Sequence, residues 1–172
     1  KGFISVNKFL ETNVKDIYAL GDIAGIYLFR HSANLEAEYA LRNVLGTKKA
    51  VDYSPMPHSI FTSPQIAGVG MTEQEAQEQK KSYVVSKYYY KDTAKGLALG
   101  EKYGFVKFIV DKKTKEILGC HIIGPDASTL LHEVCVAMKA GRSKALDLLR
   151  STVHVHPSLN EVVQRAALNV PL

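Results

Sequence analysis

No apolar run in this chain approaches the roughly 20 residues that a helix needs to cross a bilayer, so no membrane partner is expected. The chain opens Lys1-Gly2-Phe3-Ile4, with neither an initiator methionine nor the apolar core of a signal peptide. That opening leads us to expect a piece of a longer protein. Cysteine is scarce: Cys120 and Cys135 stand alone, without the CxxC or CxxxxC spacing of a redox pair. Cys135 falls on an apolar helical stripe, where a buried, reduced thiol is expected. No Gly-x-Gly-x-x-Gly occurs, which excludes the usual dinucleotide-phosphate loop from these residues. Internal repeats and low-complexity segments are absent as well.

What remains is an ordinary globular composition in 172 residues, enough for one good core or for one domain and part of another. The formal net charge is +5 and is spread along the chain. Its densest cluster, Lys112-Lys113-x-Lys115, falls in a hairpin turn, where solvation explains it better than nucleic acid does. A cytoplasmic chain is expected.

In chain order, residues 2–7 read as a short extended piece. Residues 17–20 (Ile-Tyr-Ala-Leu) form a compact apolar run of the kind a buried parallel strand shows. Gly21 permits a sharp turn after it, and Asp22 then stands at the strand's carboxyl end, where open α/β sheets bind ligands. Its acceptor-only carboxylate suits sugar or ribityl hydroxyls; capping of the loop is the plainer reading. A helix is predicted over 32–45 from the stripe Ala33, Ala37, Ala40, Leu41, Val44 and Leu45, with Gly46 as the stop. Ser54-Pro55-Met56-Pro57 reads as a linker. Beyond it the pattern turns to strands at 58–62, 65–69, 83–91, 104–110 and 116–123, the last two a hairpin about the turn 111–115. Helices follow from the capping box Thr72-x-x-Glu75, from Asp126 as a cap up to Gly141, and over 143–150. The fold class is therefore α+β, an antiparallel sheet flanked by helices.

The chemistry concentrates in His154-Val-His156-Pro157-Ser-Leu-Asn-Glu161. Pro157 disfavours the helical region for His156, and Leu159, Val162, Val163, Ala166 and Ala167 recur at helical spacing behind it. An imidazole at a helix entrance with a carboxylate close by is the geometry of an oriented acid/base, because the carboxylate on one ring nitrogen leaves the other to move protons. Two plainer readings stand beside it. Ser158-x-x-Glu161 is also a capping box, and His154 and His156, two apart, share a face on a strand and could hold a metal, although no further ligand lies near them. Residue chemistry alone leaves the motif open, and we assign no metal site.

Four stretches together carry a resemblance. Thr12-Asn-Val-Lys-Asp-Ile-Tyr-Ala-Leu-Gly-Asp22, Phe61-Thr-Ser-Pro-Gln-Ile-Ala-Gly-Val-Gly70, Gly119-Cys-His-Ile-Ile-Gly-Pro125 and His156-Pro-x-x-x-Glu161 occur in this order. The chain resembles the C-terminal part of a pyridine nucleotide–disulfide oxidoreductase, most closely the dihydrolipoamide dehydrogenase type, over nearly its whole length. The resemblance implies that 1–50 is the end of an FAD-binding domain with its last strand and helix, 51–57 a linker and 58–172 a dimerisation domain. It implies a flavin edge at Gly21, Asp22, Phe29, Arg30 and His31, with the helix after Asp22 pointing its amino end at the flavin ring. Arg30 departs from the dihydrolipoamide dehydrogenase pattern. The resemblance further implies a homodimer in which His156, oriented by Glu161, reaches the partner's active site as acid/base for thiol–disulfide exchange. The intact enzyme would use FAD and NAD(P) to oxidise a dithiol such as dihydrolipoamide. Glutathione reductase-like and mercuric reductase-like substrates, or a non-catalytic dimerisation module, are the alternatives. With neither CxxxxC nor the FAD phosphate loop, this chain alone is expected to be inactive and to hold no cofactor.

Overall fold

The computed structural model describes residues 2–171, with Arg142 described by its backbone alone. The chain divides into two compact units, Lys1–Ser54 and Pro55–Leu172.

The larger unit is built on a sheet of β1 (Pro57–Ile60), β2 (Gln65–Gly70), β3 (Tyr83–Tyr89), β4 (Phe105–Asp111) and β5 (Ile117–Gly124). Their spatial order is β1-β2-β5-β4-β3, and every pairing is antiparallel. Strand alternation sends Ala67, Val69, Val106, Phe108, Val110, Cys120 and Ile122 into one core. The β4–β5 turn closes as expected: the Asp111 carboxylate accepts from the Lys113 and Thr114 amides at 2.9 and 2.8 Å, with Lys112 and Lys113 exposed and Lys115 half-buried.

The helices of this unit are α2 (Glu73–Glu78), α3 (Ala94–Ala98), α4 (Ala127–Ala140), α5 (Arg142–Ser151) and α6 (Glu161–Leu168), while α1 (Arg30–Val44) belongs to the smaller unit. The Thr72 capping box that starts α2 forms with both of its bonds. Asp126 precedes α4 as foreseen, but with φ +55° and no side-chain cap bond. Its carbonyl, not its carboxylate, takes the first helical amides. α4 buries Leu130, Leu131, Val134, Cys135, Ala137 and Met138 over β2 and β5. α6 lies over β3 and β4, and α5 packs against both α4 and α6. Ser86 on β3 donates to the Ala166 carbonyl at 2.6 Å, while Arg150 on α5 donates to the Ala167 and Val170 carbonyls at 2.9 and 2.7 Å. A cation thereby meets the last turn of α6 at Ala167 and the residues just beyond it at Val170, where the helix dipole favours one. Both cysteines are free and buried.

The smaller unit corrects two expectations. Residues 17–20 make only a single antiparallel bridge, Tyr18 to Glu11, instead of a strand, and Ile17 is left exposed. The segment pairs only with the nearby residues 10–12, through Thr12 N to the Ile17 carbonyl and Ala19 N to the Leu10 carbonyl, and among the described residues no parallel neighbour extends it into a strand. The helix forms two residues earlier than predicted, but it turns a different face inward. Ser32, Glu36, Tyr39, Ala40 and Asn43 are buried, whereas Leu41, Val44 and Leu45 stand in solvent. A small core of Leu10, Tyr39 and Ala40 holds the helix by its polar side. There Asn43 donates to the Phe9 carbonyl at 2.9 Å.

Candidate functional site

α6 begins two residues later than its capping signature implied. Its first residue is Glu161, behind Asn160 at the N-cap. The helix is pinned by Val162, Val163, Ala166 and Ala167, all fully buried, and this fixes the direction in which Glu161 leaves the backbone. The carboxylate divides its two oxygens. Oε1 accepts from His156 Nδ1 at 2.9 Å, and Oε2 accepts from the Ser158 amide at 3.1 Å. The other half of the capping box is missing, since the buried Ser158 hydroxyl has no partner among the described groups. One carboxylate therefore both ties down the loop ahead of the helix, at the Ser158 amide, and orients the imidazole. The bond from His156 holds the Glu161 carboxyl below its ordinary value, helped by the Ser158 amide, while burial pulls the other way.

Because a carboxylate only accepts, His156 carries its hydrogen on Nδ1, and the Nε2 lone pair is left facing outward. The imidazole is 68% exposed, against 11% for the Glu161 side chain behind it. A firmly held ring with its free nitrogen in solvent can take a proton from a group that approaches from outside the chain.

His154 is arranged in the opposite sense. Its side chain is 5% exposed, with Nε2 3.2 Å from Glu133 Oε2 on α4 and Nδ1 2.9 Å from the Thr152 carbonyl. The two histidines are thus turned to different carboxylates. No group of three His, Cys, Asp or Glu side chains that could hold a metal ion occurs among the described residues. Burial raises the Glu133 carboxyl, against the lowering effects of Asn160 and His154. Burial also pushes the Cys135 thiol up to about 11 and holds the Cys120 thiol well above its usual value, so both are poor nucleophiles near neutrality.

The remaining sequence-selected residues lie in the smaller unit. Gly21, at φ +74°, opens a single 3₁₀ turn over Gly21–Ala24. A β-carbon on it would lie 3.4 Å from that of Ala33, so the turn sits against the first turns of α1. Asp22 is exposed on this turn. α1 starts at Arg30 with Phe29 at the N-cap and no side-chain cap bond. Phe29 and His31 stack with centroids 5.1 Å apart and an interplanar angle of 9°.

Sequence reading missed two acids, Glu36, fully buried, and Glu133, partly buried. Glu36 accepts from the Gly21 amide and, at 2.8 Å, from the Tyr53 hydroxyl, tying the Gly21–Asp22 turn to α1; burial raises the Tyr53 phenol well above its usual range, followed by this bond to Glu36. Glu133 was the other, and a carboxylate set between Leu131 and Val134 on an otherwise apolar stripe was the available signal.

The family model for the pyridine nucleotide-disulphide oxidoreductase dimerisation domain matches residues 56–167. The chain is 39% identical over 168 residues to dihydrolipoyl dehydrogenase of Chlamydia trachomatis serovar D, covering 98% of this chain and 36% of that protein. Dihydrolipoyl dehydrogenase of Chlamydia pneumoniae matches at the same identity and over the same shares. Among solved structures, an HOCl-induced flavoprotein disulfide reductase from Escherichia coli superposes with a TM-score of 0.87 at 28% identity, covering 99% of this chain and 39% of that one. The chain thus spans just over a third of the length of the curated relatives it matches. Among the described residues no helix is long and apolar enough to cross a membrane.

Proposed function

The chain belongs to the pyridine nucleotide–disulphide oxidoreductase family through its dimerisation domain, and from that premise we propose that it supplies the acid–base half of a shared active site for thiol–disulfide exchange. The observation that carries this reading is the His156–Glu161 pair, with Nδ1 held at 2.9 Å and the ring exposed. His156 Nε2 takes the proton of an incoming dithiol. The resulting thiolate attacks a disulfide sulfur, one S–S bond forms as another breaks, and the released thiolate leaves with the electron pair. Attack by the substrate's second thiol completes its oxidation to a disulfide and leaves the enzyme as a dithiol. Glu161 keeps the imidazole in the tautomer that accepts, and it stabilises the imidazolium once formed.

The substrate class we propose is a dihydrolipoamide-like dithiol, in keeping with the dihydrolipoyl dehydrogenases that the chain resembles over 98% of its length. We further propose a homodimer in which His156 serves the partner's disulfide. Val153 and Val155, 94% and 76% exposed, flank His154 on the same loop, and exposed apolar residues around a reactive group favour a protein contact there.

Residues 1–50 fit one edge of FAD. The exposed Asp22 carboxylate can accept from ribityl hydroxyls, and the α1 amino end, lacking a side-chain cap, favours negative charge nearby. Phe29, Arg30 and His31 stand at that end. FAD, when bound, would receive the two electrons and pass them to NAD(P). The 172 residues alone would not turn over, because they contain no CxxxxC pair.

The test is His156→Ala in a full-length enzyme carrying these residues. Dithiol-driven turnover should fall by about 10²–10⁴, the usual contribution of a general base, while reduction of the flavin by nicotinamide stays nearly unchanged. An equal fall in both half-reactions would count against the assignment.

A further inference from the structure

Two histidines two residues apart have opposite surroundings here, and the buried one explains how the exposed one is held. The loop from Thr152 to Asn160 leaves α5 and enters α6, with His156 near its middle. Glu133 on α4 grips it twice. Its Oε2 meets His154 Nε2 at 3.2 Å, and its Oε1 accepts from Asn160 Nδ2 at 3.2 Å. At the loop's entry the Thr152 carbonyl accepts from His154 Nδ1 at 2.9 Å and from Gln164 Nε2 of α6 at 3.0 Å. Points on both sides of His156 are thereby tied to two helices that the core already fixes.

We propose that Glu133 and His154 are positioning residues for His156, a carboxylate–imidazole clamp that sets the loop so that Nδ1 of His156 falls on Glu161. This rests on the acid–base reading of His156 and adds the device that makes its geometry reproducible. Both nitrogens of His154 face acceptors, a carbonyl and a carboxylate, so one proton is shared between Nε2 and Glu133. His154 is therefore committed on both sides, at 5% exposure, and cannot exchange protons with a substrate. A loop residue left to itself would sample several rotamers, and a general base misplaced by about 1 Å can cost a hundredfold in rate. The clamp removes that freedom without touching the reacting atoms.

The 172-residue chain itself serves for the test, labelled with ¹⁵N at histidine. In the unsubstituted chain His156 should show the signature of a neutral ring protonated at Nδ1, with Nε2 unprotonated. In Glu133→Ala and His154→Ala the two His156 nitrogen signals should move toward each other, as tautomers mix in a ring that no longer stays on Glu161. Asn160→Ala removes only an exposed side chain and one of the two grips on Glu133, so it reports even where the buried variants unfold. It should produce the same movement, smaller in size. Unchanged His156 signals in folded Glu133→Ala and in Asn160→Ala would overturn the proposal, whatever His156→Ala does to thiol exchange. That second result bears on the acid–base reading alone.

Discussion

At the scale of single residues, Glu161 is asked to do two jobs, and its ionisation reports on both. Its carboxyl lies below the ordinary 4.5 because His156 and then Ser158 donate to it. A carboxyl depressed on folding contributes stability that is fully present above its unfolded value and is lost as pH falls through the folded one. Glu133, raised by burial, has the opposite sign, so acid unfolding of the native chain alone mixes the two. Glu161→Gln separates them. The stability gap between the native chain and this variant should be widest above pH 4.5 and should close as pH falls below it, read from urea unfolding at a series of pH values. A gap that stays constant with pH would mean the carboxylate does not hold these bonds. That His156 and Glu161 meet was legible in sequence, though not what they do, because the signal is local: a proline restricts one neighbour, and a helical stripe locates the other. Their division of labour was not. The capping box expected Ser158 and Glu161 to share the helix start, but the Ser158 hydroxyl is buried with no partner among the described groups, and the helix begins at Glu161. Glu133 and Glu36 went unseen because each meets groups distant in sequence, Asn160 and His154 for one, Gly21 and Tyr53 for the other.

At the scale of elements, the sheet and the long helices of the larger unit follow from patterning that tertiary structure had no reason to override. Period-two alternation in β4 and β5 and the wide apolar stripe of α4 all face one core. α1 did not follow its pattern. Its leucines and valine at 41, 44 and 45 are exposed, since within its own unit the small core engages the opposite face. The residues that hold the site's loop depend on α4, whose Leu131 is almost completely buried. Leu131→Ala removes that side chain from a packed core and should cost about 2–5 kcal/mol, measured as a lowered urea midpoint at constant slope. A loss below about 1 kcal/mol would show that α4 is not firmly seated, and the clamp from Glu133 would lose its base.

At the scale of the whole molecule, the account holds that the reactive imidazole of one chain serves a disulfide held by another. A twofold dimer has two equivalent sites, each assembled from both subunits. Mixed dimers test this directly in a full-length enzyme that carries these residues. One subunit would bear His156→Ala and an intact redox disulfide, and the other an intact His156 and a disulfide disabled by substitution. Each parent homodimer lacks an essential group at both sites. If His156 acts across the interface, the hybrid contains one complete site of two, and dithiol-driven turnover should return to about half that of the native dimer. If the hybrid is no more active than its parents although the mixed dimer has formed, His156 does not act on the partner's disulfide, and the shared-site account is wrong.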